Sequence, residues 1–120
     1  MESDRYAVVI NKTAGKVLAE RASVALKPRE RLRGLIGRES MEAGEALVIP
    51  RSKQIHTFGM RFDIDVLFLD KGGRVVKACP AFVPRRLSPF VFRSATVIEL
   101  PSGVLNRSGT KEWDIVKIVT

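Results

Sequence analysis

The chain has a single cysteine, a single histidine, a single tryptophan and a single tyrosine among 120 residues. A lone Cys79 forms no internal disulfide, and with one histidine beside it cannot complete a self-contained zinc finger or ribbon. Long apolar runs are missing as well, since none approaches the roughly 18 residues a membrane-spanning helix needs. The start, Met1 to Tyr6, lacks the basic and apolar stretches of a signal peptide, so a cytoplasmic protein with no membrane partner is expected. No internal repeat, low-complexity tract or long linker divides the chain, which reads as one domain over 1–120. At this length folding removes roughly two-thirds of the extended surface from water, enough for a single core.

What the chain does have is positive charge: 21 Lys and Arg against 13 Asp and Glu, a formal net charge of +8. Clustered cations on one face would point to a polyanion. The densest stretch, Lys27 to Arg38, reads as a short helix with Leu32, Leu35 and Ile36 as its buried stripe and Gly37 as its cap. Helical spacing puts Arg29 and Arg33 on one flank of that stripe and Arg31 and Arg38 on the other, so no single basic face forms. Elsewhere Glu39, Glu42, Glu45, Asp63, Asp65 and Asp70 interleave with the cations, as on a solvated surface.

Strand-like runs fill most of the remainder. Tyr6 to Ile10 and Lys16 to Glu20 flank an Asn- and Gly-containing turn, which predicts a hairpin. Ala46 to Ile49 is a short apolar run closed by Pro50, and Gln54 to Phe58 reads as a further strand. Asp65 to Asp70 encloses four consecutive apolar residues and is the central strand, buried on both faces. The turn at 70–73 leads into Arg74 to Cys79, a second hairpin. Residues 80–94 carry Pro80, Pro84 and Pro89 and cannot be one regular element. Thr96 to Leu100, a helical or turn segment from Pro101 to Gly109, and Asp114 to Val119 complete the chain. The expected class is α+β but mostly β: a compact, antiparallel, barrel-like sheet of about six to eight short strands with one or two short helices.

The segments Arg33 to Arg38, Ile55 to Asp65, Val66 to Val76 and Val97 to Gly103 resemble, in order and spacing, the successive signatures of the DUF192 family of unknown function. The likeness extends over roughly residues 20 to 119, nearly the whole chain. It implies a small single-domain β-rich fold of the kind found in bacteria and archaea. It implies no reaction, cofactor or catalytic set. Members often have proline where this chain has Asp63, and a Gly-Asp turn where it has Trp113 and Asp114.

Two stretches are candidates for function. The first places His56, Thr57, Met60, Arg61, Asp63 and Asp65 close together. Histidine titrates near neutral pH and a carboxylate can orient it, so His56 with Asp65 suggests acid-base chemistry. The structural alternative bonds His56 to a backbone carbonyl and neutralises a buried Asp65 with Arg61, Arg85 or Arg86. As metal ligands, His56, Asp63 and Asp65 supply too little nitrogen and no sulfur, so neither metal nor cofactor is expected. The second stretch is 82–93, where Phe82, Phe90 and Phe92 alternate with Arg85, Arg86 and Arg93. Outward rings and guanidinium groups would stack on and contact a nucleic acid or an aromatic anion; inward rings would merely close a barrel end. Cys79 reads as a small half-buried hydrophobe, Glu99 as pointing outward or pairing with an arginine, and Gly34 as a close-packing position.

The expected function is a monomeric binding module, more a binder than an enzyme. His56, Thr57, Met60, Arg61, Asp63 and Asp65 would share one concave surface with Arg85, Arg86 and Phe90, taking an anionic small molecule or peptide. Nucleic-acid binding through the Arg-Phe loop and an enzyme built on His56 and Asp65 are the alternatives.

Overall fold

The structure, a computed structural model, describes residues 6–27 and 35–120. Most of the helix expected over 27–38 lies outside the described residues; within them, 35–37 is a turn that buries Leu35 and leaves Ile36 exposed, not part of a buried stripe. Among the described residues no helix is long and apolar enough to cross a membrane.

Among the described residues, seven strands and one short helix follow each other: β1 (Ala7–Asn11), β2 (Lys16–Val24), β3 (Glu45–Pro50), β4 (Ile64–Leu69), β5 (Val75–Phe82), β6 (Thr96–Pro101), α1 (Val104–Ser108) and β7 (Val116–Val119). They form one sheet in the order β5-β4-β6-β3-β2-β1-β7. Every neighbouring pair is antiparallel except β2 and β3, whose connection is long enough to cross over. The two edges then meet. Val75 N–H donates to Asp114 C=O at 2.8 Å, Trp113 N–H to Val75 C=O at 2.8 Å and Val116 N–H to Gly73 C=O at 2.8 Å. This seam curls the sheet into the barrel-like form expected from the sequence and shields strand edges that would otherwise template aggregation. The expected strand over Gln54 to Phe58 is absent, because that segment makes only one bridge, His56 to Leu87.

A buried polar cluster finishes the seam. Asn11 Nδ2 donates to Thr110 Oγ1 at 2.9 Å and to Asp114 Oδ2 at 3.0 Å, while its Oδ1 accepts Ala14 N–H at 2.9 Å. With both amide protons and the carbonyl used, a fully buried asparagine costs little and fixes β1 against the approach to β7.

Two apolar layers lie on opposite sides of the central strands. Inside the curl, Val9, Ala22, Leu67, Val75, Ile98 and Leu100 pack together, and α1 lids them with Val104 and Leu105. Outside, Ile64, Val66, Phe68 and Val97 are covered by Leu35, Ile49, Ile55 and Met60. Strand β4 is therefore buried at every position, which is why its sequence is a continuous apolar run with no alternation. Successive residues of β4 alternate between layers, so Leu67 and Asp65 face the interior while Ile64, Val66 and Phe68 face the outer layer.

Gly73 sits at the seam with φ 88°, and a Cβ there would lie 2.5 Å from the Val116 carbonyl oxygen. Gly73→Ala is expected to lose about 1–3 kcal/mol in urea unfolding, through left-handed strain plus displacement of the seam. Gly15→Ala, with φ 67° but nothing near its Cβ, is expected to lose only the conformational part, about 1 kcal/mol.

Candidate functional site

Loops 51–63 and 83–95 lie over the outer layer and are stitched to each other by short bonds from buried hydroxyls. Thr57 is fully buried. Its Oγ1 donates to Val83 C=O at 2.8 Å and accepts Arg86 N–H at 2.9 Å; its own N–H donates to Arg86 C=O at 2.8 Å, and its C=O accepts Arg85 N–H at 3.0 Å. Ser88, also buried, exchanges bonds with Ile55: its Oγ accepts Ile55 N–H at 2.9 Å and its N–H donates to Ile55 C=O at 2.9 Å. Farther along, Lys53 Nζ reaches the carbonyls of Phe92 and Ser94, both at 2.8 Å, and lies 5.6 Å from the Phe92 ring centre. A proline-rich segment with few ladder bonds of its own is thereby held in one conformation, with Arg85 at φ 61°.

What this rigid pair presents outward is apolar and basic. Phe58 is 52% exposed, Leu87 60%, Phe90 61% and Phe92 78%, and Arg85, Arg86 and Arg93 are exposed among them. Phe82, by contrast, turns in and packs on the outer layer. The aromatic loop thus divides, one ring closing the core and two facing water. His56 is half-buried beside this rim, its Nδ1 accepting Phe58 N–H at 3.1 Å and its ring stacked on Phe58 at 5.5 Å between centres. Among the described residues no acidic side chain pairs with Arg85, Arg86 or Arg93.

The candidates therefore separate. His56, Thr57, Arg85, Arg86 and Phe90 belong to the stitched loops. Met60 is buried in the outer layer beneath them, Asp63 is exposed, and Arg61 reaches Glu39 at 3.0 Å. Asp65 is on the other side of the sheet. Its Oδ1 accepts Ala81 N–H at 2.9 Å, and its Oδ2 accepts Gly103 N–H at 3.1 Å and Leu105 N–H at 2.8 Å. The expected ion pair with Arg61, Arg85 or Arg86 does not form: the carboxylate is satisfied by three backbone donors where α1 begins and β5 ends. Nor does the His56 and Asp65 acid-base pair, since β4 stands between them. Asp65 lines a separate depression of about 490 Å³ with Ala78, Pro80, Ser102, Asn106 and Thr110, and none of the rim residues contributes to it. Among the described residues no cluster of ligating side chains suits a metal ion. Cys79 is half-buried, and burial pushes its thiol pKa up, which opposes formation of the nucleophilic thiolate.

Glu99 corrects the expectation that it points outward or pairs with an arginine. It is 3% exposed, its Oε1 has no hydrogen-bond partner among the described residues, and burial pushes its pKa up to about 7. Alternation along Thr96 to Leu100 suggested an outer position. That pattern fails because β6 lies between β3 and β4 with both faces covered. The available signal was the company Glu99 keeps, Val97, Ile98 and Leu100, as in a strand buried on both sides.

Thr57→Val keeps the shape and removes the hydroxyl, leaving Val83 C=O and Arg86 N–H short of a partner. A loss of about 1–3 kcal/mol in denaturant unfolding is expected, with faster amide exchange over 83–88. Glu99 sets a pH dependence. Its folded pKa lies above the usual 4.5, so its contribution is fully present below pH 4.5 and is lost as pH rises through about 7. The total is about 3 kcal/mol. Glu99→Gln is expected to flatten the pH dependence of unfolding free energy between about pH 5 and 8, a slope that unfolding curves at several pH values measure directly.

The DUF192 family model, described as Uncharacterized ACR, matches residues 9–118. A UPF0127 protein of Thermococcus kodakarensis is 28% identical over 118 residues, covering 91% of this chain and 71% of the relative. A UPF0127 protein of Thermococcus sibiricus is 32% identical over 108 residues, covering 82% of this chain and 66% of the relative. The chain thus spans about two thirds of that relative's length. The fold is similar to that of a protein of unknown function from Novosphingobium aromaticivorans, with a TM-score of 0.79 over 92% of this chain and 82% of that one, at 23% identity. With nearly its whole length matched by the family model, this chain belongs to the DUF192 family.

Proposed function

We propose that the protein is a binding module that takes an anionic small molecule or peptide at the rim carried by loops 51–63 and 83–95. The observation that carries this reading is the rigid display of Phe58, Leu87 and Phe90 beside Arg85 and Arg86, which have no acidic partner among the described residues. Large exposed apolar side chains grouped on one surface are a recurrent mark of binding sites. Guanidinium groups on fixed backbone lose less freedom on engaging a carboxylate or phosphate than those on a mobile loop. His56 would contribute its ring to the same surface. Arg61 and Asp63, at the far end of the segment, belong to its periphery, whereas Met60 supports the rim from beneath. Asp65 acts by holding the scaffold and does not touch the ligand in this reading.

Nucleic-acid binding is the second reading, favoured by the outward rings of Phe90 and Phe92 and the neighbouring Arg93. An enzyme using His56 and Asp65 is set aside, because the two groups are engaged on opposite faces of β4.

Thermal-shift and calorimetric titration against carboxylate and phosphate metabolites and Asp- and Glu-rich peptides are expected to find a binder. Its affinity should fall roughly tenfold or more on replacing Arg85 and Arg86 by alanine, and similarly for Phe90→Ala. A panel that leaves the melting temperature unchanged would count against the module. Fluorescence anisotropy with a single-stranded oligonucleotide at about 50 and 200 mM salt separates the second reading, since failure to bind at low salt eliminates it.

A further inference from the structure

The rim is drawn out in one direction. Its two loops run antiparallel: Arg85 N–H donates to Thr57 C=O at 3.0 Å, Ser88 N–H to Ile55 C=O at 2.9 Å and Val91 N–H to Lys53 C=O at 2.8 Å, with a bridge between His56 and Leu87. Ile55, Thr57 and Ser88 are buried on the inner side of this ribbon. Side chains alternate across extended backbone, so Gln54, His56 and Phe58 take the outer side, and Leu87 joins them across the bridge. From Lys53 to Phe58 there are five steps of roughly 3.3 Å, about 17 Å from end to end.

Along that length the exposed groups have an order. Arg85 and Arg86 lie at the Thr57 and Phe58 end, His56 and Leu87 in the middle, and Phe92 with its neighbour Arg93 at the Lys53 end. The Lys53 ammonium is held by two carbonyls, whereas Arg85, Arg86 and Arg93 have no acidic partner among the described residues. Unpaired guanidinium groups therefore bracket an apolar middle. A small-molecule site closes most of its ligand's surface between converging walls. Here Phe58, Leu87, Phe90 and Phe92 are each more than half exposed and strung out along the ribbon, a shape that suits a linear ligand. Aromatic side chains and arginine are also what protein interfaces concentrate.

We propose that the rim docks a short extended segment of a partner protein, lying lengthwise on the ribbon, with large apolar residues in its middle and Asp or Glu at both ends. This rests on the reading of the rim as a site for anions and narrows it to one class of ligand. Alternate side chains of an extended segment stand about 7 Å apart on one face, so two or three apolar residues span the stretch from Phe58 to Phe92. Carboxylates beyond them reach the guanidinium groups in charge-assisted, bidentate bonds. Because the ribbon is already stitched by Thr57 and Ser88, the ordering cost falls on the partner segment alone. A single-stranded nucleic acid carries the same charge but binds by stacking on open ring faces. Leu87 offers no such face at the centre, His56 already stacks on Phe58, and the Lys53 ammonium lies over the Phe92 ring.

The probe is a fluorescent peptide, Asp-Glu-Leu-Ser-Phe-Ser-Leu-Glu-Asp, titrated with the whole protein by anisotropy at about 0.15 M salt to screen the net positive charge. Its controls are the same peptide with serine at every apolar position, the same peptide with lysine at every acidic position, and an oligothymidine of equal length. The probe is expected to bind roughly tenfold or more tightly than each control, and to lose that margin in Leu87→Ser and in the double variant Arg85→Ala with Arg86→Ala. These side chains are exposed, and urea midpoints check that both variants fold. In the unmutated protein, amide NMR shifts caused by the probe should concentrate in 53–58 and 85–93, a readout that needs no variant. Equal binding of the probe and either control peptide, tighter binding of the oligonucleotide, shifts confined to other segments, or no binding would overturn the proposal. Free glutamate and inorganic phosphate, titrated in parallel, separate the two readings. If they bind at the rim and the probe gains nothing over them, the anion site stands and the docking of a segment falls; if no acidic ligand binds, both fall.

Discussion

The rest of the fold hangs on the Asp65 carboxylate, which is buried in the central strand and bonded to three backbone N–H groups. One oxygen holds Ala81, where β5 turns through φ 52°; the other holds Gly103 and Leu105, where α1 begins. A five-residue helix cannot sustain itself in water, and its first amides have no partners within the helix. Asp65 supplies those partners from a strand 38 residues earlier in the chain. The lid over the barrel interior is thereby tied to the strand it covers. An arginine partner would have delivered a charge to that site without fixing the backbone of either segment.

The outer face is built on a different economy. Hydroxyls, not carboxylates, organise its loops: Thr57 and Ser88 are small enough to be buried and versatile enough to donate and accept at once. Because they satisfy the backbone of a segment rich in proline, Leu87, Phe90 and Phe92 are left free of structural duty and face water. Phe82 turns inward and Phe90 and Phe92 outward for the same reason, since the riveted backbone decides the direction of each side chain before any packing preference of phenylalanine does.

Two buried acids on adjacent central strands illustrate how little residue type alone decides. Asp65 and Glu99 both interrupt apolar runs, and both lie at almost zero exposure. The first faces the interior, where two element ends bring their amides to it. The second faces the outer layer, where its row neighbours are Leu47 and Val66 and no group among the described residues donates to its Oε1. One ties two element ends to the central strand, and the other leaves its Oε1 without a partner among the described residues.

Much of this architecture was legible in the string of residues. The apolar run after Asp65, the turns at 11–15 and 70–73, and the prolines of 80–94 reflect local conformational limits and a local pattern of burial, which neighbouring residues impose on one another directly. The order of motifs was enough to indicate the family. What the sequence could not reveal was the register between distant strands, and with it the face on which each acid lies and the groups that meet it there. The strand read at Gln54 to Phe58 became a stitched loop, and the outward Glu99 became a buried one, because hydrogen-bond partners and burial on both faces are set by segments tens of residues away. Sequence determined most of the elements; only the closed tertiary structure decided whether 54–58 would pair as a strand, which polar groups would be satisfied and which would not.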